Sequence, residues 1–198
     1  MQTEIEAKFL DIDVDGLRKK LKDNGATLVH PERLMRRKNF DYADRRLDKI
    51  GGWIRVRDEG DRVTLSHKQS IDKSITGTSE VEVVVDSFEK TVDLLLAIGL
   101  DLKSSQETKR ERWLMDGVEV TLDTWPWIPS FAELEGETEE KVKAAALKLD
   151  LDISLAMHGG VAPVFCKYYN VSILEVNEMK QIVFSPVPEW LREKKIVQ

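Results

Sequence analysis

The sequence predicts an α+β fold: an antiparallel sheet of about seven or eight strands with helices packed on it. Three observations lead there. Apolar and polar residues alternate with period two in segment after segment. The segments come as consecutive hairpins, without the helical crossovers that parallel strands need. The clearest helical stretches are short, amphipathic and capped. A chain of 198 residues suits one domain, with a core expected over about residues 3–175.

The elements follow in order. "TEIEAKF" alternates Glu4, Glu6 and Lys8 with Ile5, Ala7 and Phe9, a strand with one charged and one apolar face. "DVDGLRKKLKDNG" is a helix that Asp13 or Asp15 caps, that buries Leu17 and Leu21, and that Gly25 stops. "RRKNFDYAD" reads as a strand, and "GGWIRVRDEGDRVTLSHKQ" as a hairpin turning at "DEGD". "TSEVEVVVDS" is a further strand, after which Ser87 caps the helix "FEKTVDLLLAIG". "SQETKRERWLMDGVEVTLDTW" is a second hairpin turning at "MDG", followed by the strand "SFAELEGET" and the helix "TEEKVKAAALKLD". Beyond Asp150 the pattern loosens. "ISLAMHGG" and "VAPVFCKYYN" read as short helices, "MKQIVF" as a strand or tail, and "SPVPEWLREKK" as a peripheral end.

Composition narrows the class. Charged residues make up 33% and hydrophobic ones 41%, as in a soluble globular protein. The longest apolar run, "VDLLLAIGL", is broken by Asp93 and falls short of a membrane span of roughly 18 residues. The charged start does not fit a signal peptide. The single cysteine, Cys166, excludes an internal disulfide framework and a cysteine zinc cluster. A cytoplasmic protein is the expectation. A net charge of −6 argues against a nucleic-acid partner.

One feature recurs on strand after strand. Arg55 and Arg57 alternate with Ile54 and Val56, and Thr64, Ser66 and Lys68 with Val63 and Leu65. Glu80 and Glu82 alternate with Val81 and Val83, Glu119, Thr121 and Asp123 with Val118, Val120 and Leu122, and Glu133 and Glu135 with Ala132 and Leu134. A solvated sheet face accounts for any one of these. Like charges at i, i+2 repel, however, and a solvated face has no need to collect them. A closed barrel with helices outside turns the charged face inward and lines a bore. Carboxylates there suit hard divalent cations, and arginines and lysines suit phosphates.

Those same stretches resemble the CYTH domain family, the triphosphate tunnel metalloenzymes. "EIEAK" resembles the opening Glu-x-Glu-x-Lys signature, "WIRVR" and "LSHK" the basic strands after it, and "SEVEV" the mid-chain acidic pair. "KRERW", "VTLDTW" and "SFAELEG" follow in family order, so that the likeness runs from about Thr3 to about Lys148. Where many members have an arginine before the mid-chain pair, this chain has Gly77, Thr78 and Ser79. The resemblance implies an eight-stranded antiparallel β-barrel tunnel with helices outside. It also implies a monomer or homodimer acting on a small-molecule triphosphate with Mg²⁺ or Mn²⁺.

Carried over by position, Glu4, Glu6, Glu133 and Glu135 look like metal ligands, with Asp123, Glu80 and Glu82 as further acidic members. Glu4, Glu6 and Lys8 look like the catalytic group. Arg37, Arg55, Arg57, Lys68 and Arg110 or Arg112 look like triphosphate binders. The family includes class IV adenylyl cyclases, thiamine triphosphatases and inorganic triphosphatases. No residue here demands adenine, so hydrolysis is the expectation, with cyclisation of ATP as the alternative and a non-catalytic binding module as a third reading. The aromatic, proline-rich "WPWIPSF" reads as a rigid loop at the tunnel rim, with Trp125 or Trp127 available to stack on a base. His67 falls on the outward face, and His30 and His158 read as surface or helix-end residues.

Overall fold

A computed structural model describes residues 2–70 and 78–197, with side chains from residue 5 to 70 and from 79 to 197. Among the described residues the strands are β1 (Gln2–Phe9), β2 (Thr27–Asp41), β3 (Gly52–Asp58), β4 (Val63–Ser70), β5 (Thr78–Val85), β6 (Asp101–Met115), β7 (Val118–Thr124), β8 (Phe131–Gly136) and β9 (Gln181–Ile182). The sheet runs in the order β2-β3-β4-β5-β1-β8-β7-β6, and β2 also pairs with β6. That last pairing, twelve residue pairs long, closes the ring into an antiparallel barrel. The two-residue β9 adds to β6 in parallel outside the ring.

Helices cover the outside. Helix α1 (Val14–Asp23) starts at Asp13, whose side chain accepts from the Gly16 N–H, so Asp13 and not Asp15 is the cap. Helix α2 (Phe88–Ala97) starts at Ser87 and α3 (Glu139–Lys148) at Thr138, each hydroxyl accepting from the third residue of its helix. The turn between β6 and β7 puts Asp116 and Gly117 both at positive φ (52° and 77°), the pairing that a two-residue hairpin turn requires.

The period of two decides what each face meets. Ala7, Phe9, Val118, Val120, Leu122, Ala132 and Leu134 point outward and pack under α1 and α3. Phe40 and Val56 do the same under α2. Outward-facing Glu111 fastens α1 to the barrel: it accepts from the Arg18 guanidinium at 2.9 to 3.2 Å and from the Trp113 indole at 2.7 Å. Glu111→Ala should therefore lower stability by about 2–3 kcal/mol, the cost of leaving an arginine and an indole N–H without their acceptor. A chemical-denaturation curve checks it.

The chain end departs from expectation. Helices α4 (Ala162–Tyr168), α5 (Ile173–Asn177) and α6 (Glu189–Arg192) build a second apolar cluster with Trp125, Ile128 and Phe131. Leu191 and Ile182 are fully enclosed in it, and the Ile196 N–H donates to the Tyr168 carbonyl. "SPVPEWLREKK" is thus packed and not peripheral, because its few apolar residues meet aromatics brought from β7 and β8. "ISLAMHGG" contributes only a 3-10 turn at Ile153–Leu155. Among the described residues no helix is long and apolar enough to cross a membrane.

Candidate active site in the barrel bore

The inward faces of β1 to β8 carry the charges that alternate in the sequence. Register brings them together. Across β1 and β8, Glu6 lies opposite Glu135 and Lys8 opposite Glu133. Across β7 and β8, Glu119 lies opposite Glu135 and Thr121 opposite Glu133. Arg110 faces Asp123 on the β6–β7 ladder, and Arg37 faces Arg57 on the β2–β3 ladder. Lys68 sits opposite Glu80, and Ser66 opposite both Arg55 and Glu82.

The basic stretches resolve by strand parity. Arg37 turns inward. Arg36 and Lys38 turn outward, over the Phe88 ring of α2 at 5.5 and 5.9 Å from its centre. Arg110 and Arg112 both turn inward, and Glu111 between them turns out. Glu4 lies on the inward parity of β1, but its side chain lies outside the described residues, as does the Gly77 departure.

Most bore charges are neutralised within the wall. Lys8 Nζ lies 2.8 Å from Glu6 and 2.6 Å from Glu133. Arg110 grips Asp123 with two bonds of 2.7 and 2.8 Å and reaches Glu133 at 2.8 Å. Thr121 donates to the fully buried Asp123. Arg112 pairs with Glu119 at 2.6 Å. Arg55 holds Glu80 and Glu82 at 3.1 and 3.3 Å, and Lys68 approaches Glu80 at 3.4 Å.

Arg37 is different. It is buried, and among the described residues it has no carboxylate partner. One guanidinium N–H donates to Thr108 at 2.6 Å, and the group lies 4.7 Å from the centre of the Trp125 ring. Burial, then the like charges of Arg55, Arg57 and Arg110, push its pKa well down. Arg57 is pushed down to about 10, first by burial and then by Arg55. The buried Nε atoms of Arg37, Arg55 and Arg57 have no acceptor, and the Thr64 and Ser66 hydroxyls beside them have no partner. Buried polar groups are normally satisfied, so this set of unused donors marks a place built for an acceptor-rich anion.

The carboxylates show the opposite frustration. Burial, followed by the charge of Glu133, pushes Glu6 up to about 8. Burial, Glu133 and Glu119 also raise Glu135. Glu133 stays ionised, well below the usual range, because Lys8 and Arg110 outweigh its burial. Burial thus favours the protonated form of Glu6, while the cations beside Glu133 favour its ionised form. A carboxyl that carries a proton near neutrality is equipped for acid–base work.

Among the described residues no three carboxylates or histidines are already gathered as a metal cage. Asp123, Glu80, Glu82 and Glu133, all expected to be acidic ligands, are held by arginine or lysine. Glu6 and Glu135 lie opposite each other on the β1–β8 ladder, and burial raises both, which suits a divalent cation that binds them through oxygen and displaces the proton. The bore's open end holds a cavity of about 30 Å³ between Arg33, Arg57, Glu59, Arg62, Arg110 and Arg112, room for a water or two. The wall pairs must part to admit anything larger.

Three features escaped the sequence. Glu59, in the turn "DEGD", is buried at that open end. The inward series of β7 and β8 continues into Trp125 and Phe131, so the far end of the bore is aromatic and covered by the C-terminal cluster. Trp125 lies under Arg37, and the Trp127 indole donates to the Ser185 carbonyl. Finally, the His158 ring lies 2.9 Å from the Glu6 carbonyl, and Met157 exchanges two backbone hydrogen bonds with Lys8. His158 therefore braces the strand that carries Glu6 and Lys8. His30 pairs with Asp61 at the surface.

Comparison with known proteins agrees with this arrangement. The family model described as the CYTH domain matches residues 2–158. A candidate adenylate cyclase from Vibrio parahaemolyticus superposes with a TM-score of 0.73 at 15% identity, covering 83% of this chain and 98% of that one. A conserved hypothetical protein from Pyrococcus furiosus gives 0.64 at 20% identity, covering 78% and 94%. A candidate adenylyl cyclase from Hippeastrum, described as having a dominant triphosphatase activity, gives 0.54 at 15% identity, covering 81% and 91%. At these identities the likeness establishes the fold. A search of the curated proteins finds no match.

Proposed function

The chain belongs to the CYTH domain family, and on that premise we propose that it hydrolyses a triphosphate compound in its bore with a divalent cation, Mg²⁺ or Mn²⁺. The observation that carries the reading is Arg37, a buried cation without a carboxylate, beside the unused donors of Arg55, Arg57, Thr64 and Ser66. A flexible dianion does not satisfy so many donors, whereas a chain of phosphates does.

In this reading Arg37, Arg55, Arg57, Lys68, Arg110 and Arg112 bind phosphate oxygens and steady charge as it shifts toward the leaving group. Glu6 and Glu135, with Glu4 on the same strand face, hold the cation. Asp123, Glu80, Glu82 and Glu133 orient the basic residues that grip them, and join the acidic set as those residues turn to substrate. A bound Mg²⁺ or Mn²⁺ supplies charge neutralisation and lowers the pKa of an attacking water. Lys8 stays protonated, raised by Glu133 and Glu6 against its own burial. It therefore serves as a cation and not as a base. The buried bore excludes bulk water from these charges.

Hydrolysis is favoured over cyclisation because no described residue in the bore demands adenine and Arg37 lies over the Trp125 ring on which a base would stack. The likeness to the Hippeastrum protein runs the same way. Chromatography of products from ATP, inorganic triphosphate and thiamine triphosphate, each with Mg²⁺ and then Mn²⁺, tests the reading. Orthophosphate release is expected. Cyclic AMP with pyrophosphate would move the chain to the cyclases, and no turnover of any of them would leave a binding module.

A further inference from the structure

Glu59 sits at the open end of the bore, where the inward series of β3 passes from Arg55 and Arg57 into the turn. Its carboxylate is almost wholly buried among cations: Arg57 at 2.5 Å, Arg62 at 2.9 Å and Arg33 at 3.5 Å. Arg57 and Arg62 hold it ionised, below the usual range, despite its burial. Three guanidiniums around one carboxylate form the setting that a phosphate group seeks. The cavity beside it is lined by Arg33, Arg57, Arg62, Arg110 and Arg112, against only Glu59 and Glu119. Glu59 lies just before Gly60, which has a positive φ of 91° and accepts the reversal of the chain. The Gly60 N–H is fixed by Asp58, not by Glu59. The turn's backbone bonding therefore does not require the Glu59 carboxylate, whose bond within the turn is to the Arg62 side chain.

We propose that Glu59 determines specificity, as a tethered anion that occupies the arginines of the open end and must be displaced by the incoming phosphate chain. This rests on the triphosphate reading of the bore. A ligand that reaches both this end and Arg37 has enough contacts to displace Glu59. Orthophosphate and pyrophosphate, which bring fewer, do not. Glu59 thereby weakens binding of the short anions that hydrolysis releases, and keeps product from holding the site.

The test is calorimetric titration of wild type and Glu59→Gln with inorganic triphosphate, pyrophosphate and orthophosphate, without metal. The neutral amide keeps the volume and removes the competing charge. Pyrophosphate affinity should rise about tenfold, the worth of one charge-assisted contact no longer contested, and by a larger factor than triphosphate affinity does. Pyrophosphate affinity within about twofold of wild type, in a variant that still binds triphosphate, would overturn the proposal. Failure of wild type to bind triphosphate, with Mg²⁺ as well as without it, would instead count against the function itself.

Glu59→Ala provides a second reading that does not depend on catalysis. It leaves three arginines facing space, so its melting temperature should fall and phosphate should restore it more strongly than it stabilises wild type. An equal response of both proteins to phosphate would also overturn the proposal.

Discussion

Replacing Arg37 with methionine should abolish high-affinity triphosphate binding while leaving the protein alone at least as stable as before. The two halves come from the same geometry. Without ligand, the Arg37 charge is buried, unpaired by any described carboxylate and repelled by Arg55, Arg57 and Arg110. Methionine keeps contact with the Trp125 ring through its thioether and removes the charge. The variant loses one bond to Thr108 and sheds a larger repulsion, since replacing buried charge with apolar volume is often neutral or stabilising. With ligand the sign reverses. Losing a desolvated charged partner costs about 3 kcal/mol, roughly a hundredfold in affinity. Calorimetric titration and a melting curve on the same preparation read both. A purely structural Arg37 gives the opposite pair: lower stability and unchanged affinity.

Glu6→Gln carries the second large effect, and its sign depends on pH. Glu6 is raised to about 8 from an ordinary 4.5, chiefly by burial and then by Glu133. Its folded-state pKa lies above the unfolded one, so the folded protein keeps a proton that the unfolded chain has lost. Stability without metal is then full below about 4.5 and declines as pH rises toward about 8. The amide cannot ionise, yet it still presents an N–H to Glu133 and an oxygen to Lys8. In chelator, Glu6→Gln should therefore exceed wild type by about 4 kcal/mol at pH 8 and approach it near pH 5. In Mg²⁺ or Mn²⁺ with substrate, turnover should be lost. Retained turnover would remove Glu6 from the cation site.

What was legible in the sequence was whatever period two could express. Lys8, Arg55, Arg57, Lys68 and the acidic pairs share one face of their strands, and the structure turns that face inward. The orientation of "RRK" was not legible, because three adjacent bases have no period. Parity is fixed only by Phe40 seating under α2. Trp125 was within reach: the series Glu119, Thr121, Asp123 extends one step to it. Glu59 was hidden because an acidic residue in a turn looks solvated, and only the closing of β3 against β2 adds Arg33 to its local partners Arg57 and Arg62 and buries it. His158 meets Glu6 across more than a hundred residues of chain, which no local pattern records. The C-terminal segment beyond residue 158 lies outside the family match, and its apolar residues come in short runs broken by turns, without a sustained period that shows a face on its own.

In the proposed function the bore is a site for a triphosphate held with a divalent cation. The most direct measurement is the melting temperature of the wild-type chain with inorganic triphosphate and Mg²⁺ or Mn²⁺, beside each component alone. A ligand that binds only the folded state stabilises it by about 2.7 kcal/mol at a hundred times its Kd. For a chain of this length that is a rise of roughly 5–10 °C. That rise is expected for the combination, with a smaller one for triphosphate alone, and it should be lost in Arg37→Met. No shift at saturating triphosphate and metal would contradict it, and would return the charged face to the role of a lining that holds only itself together.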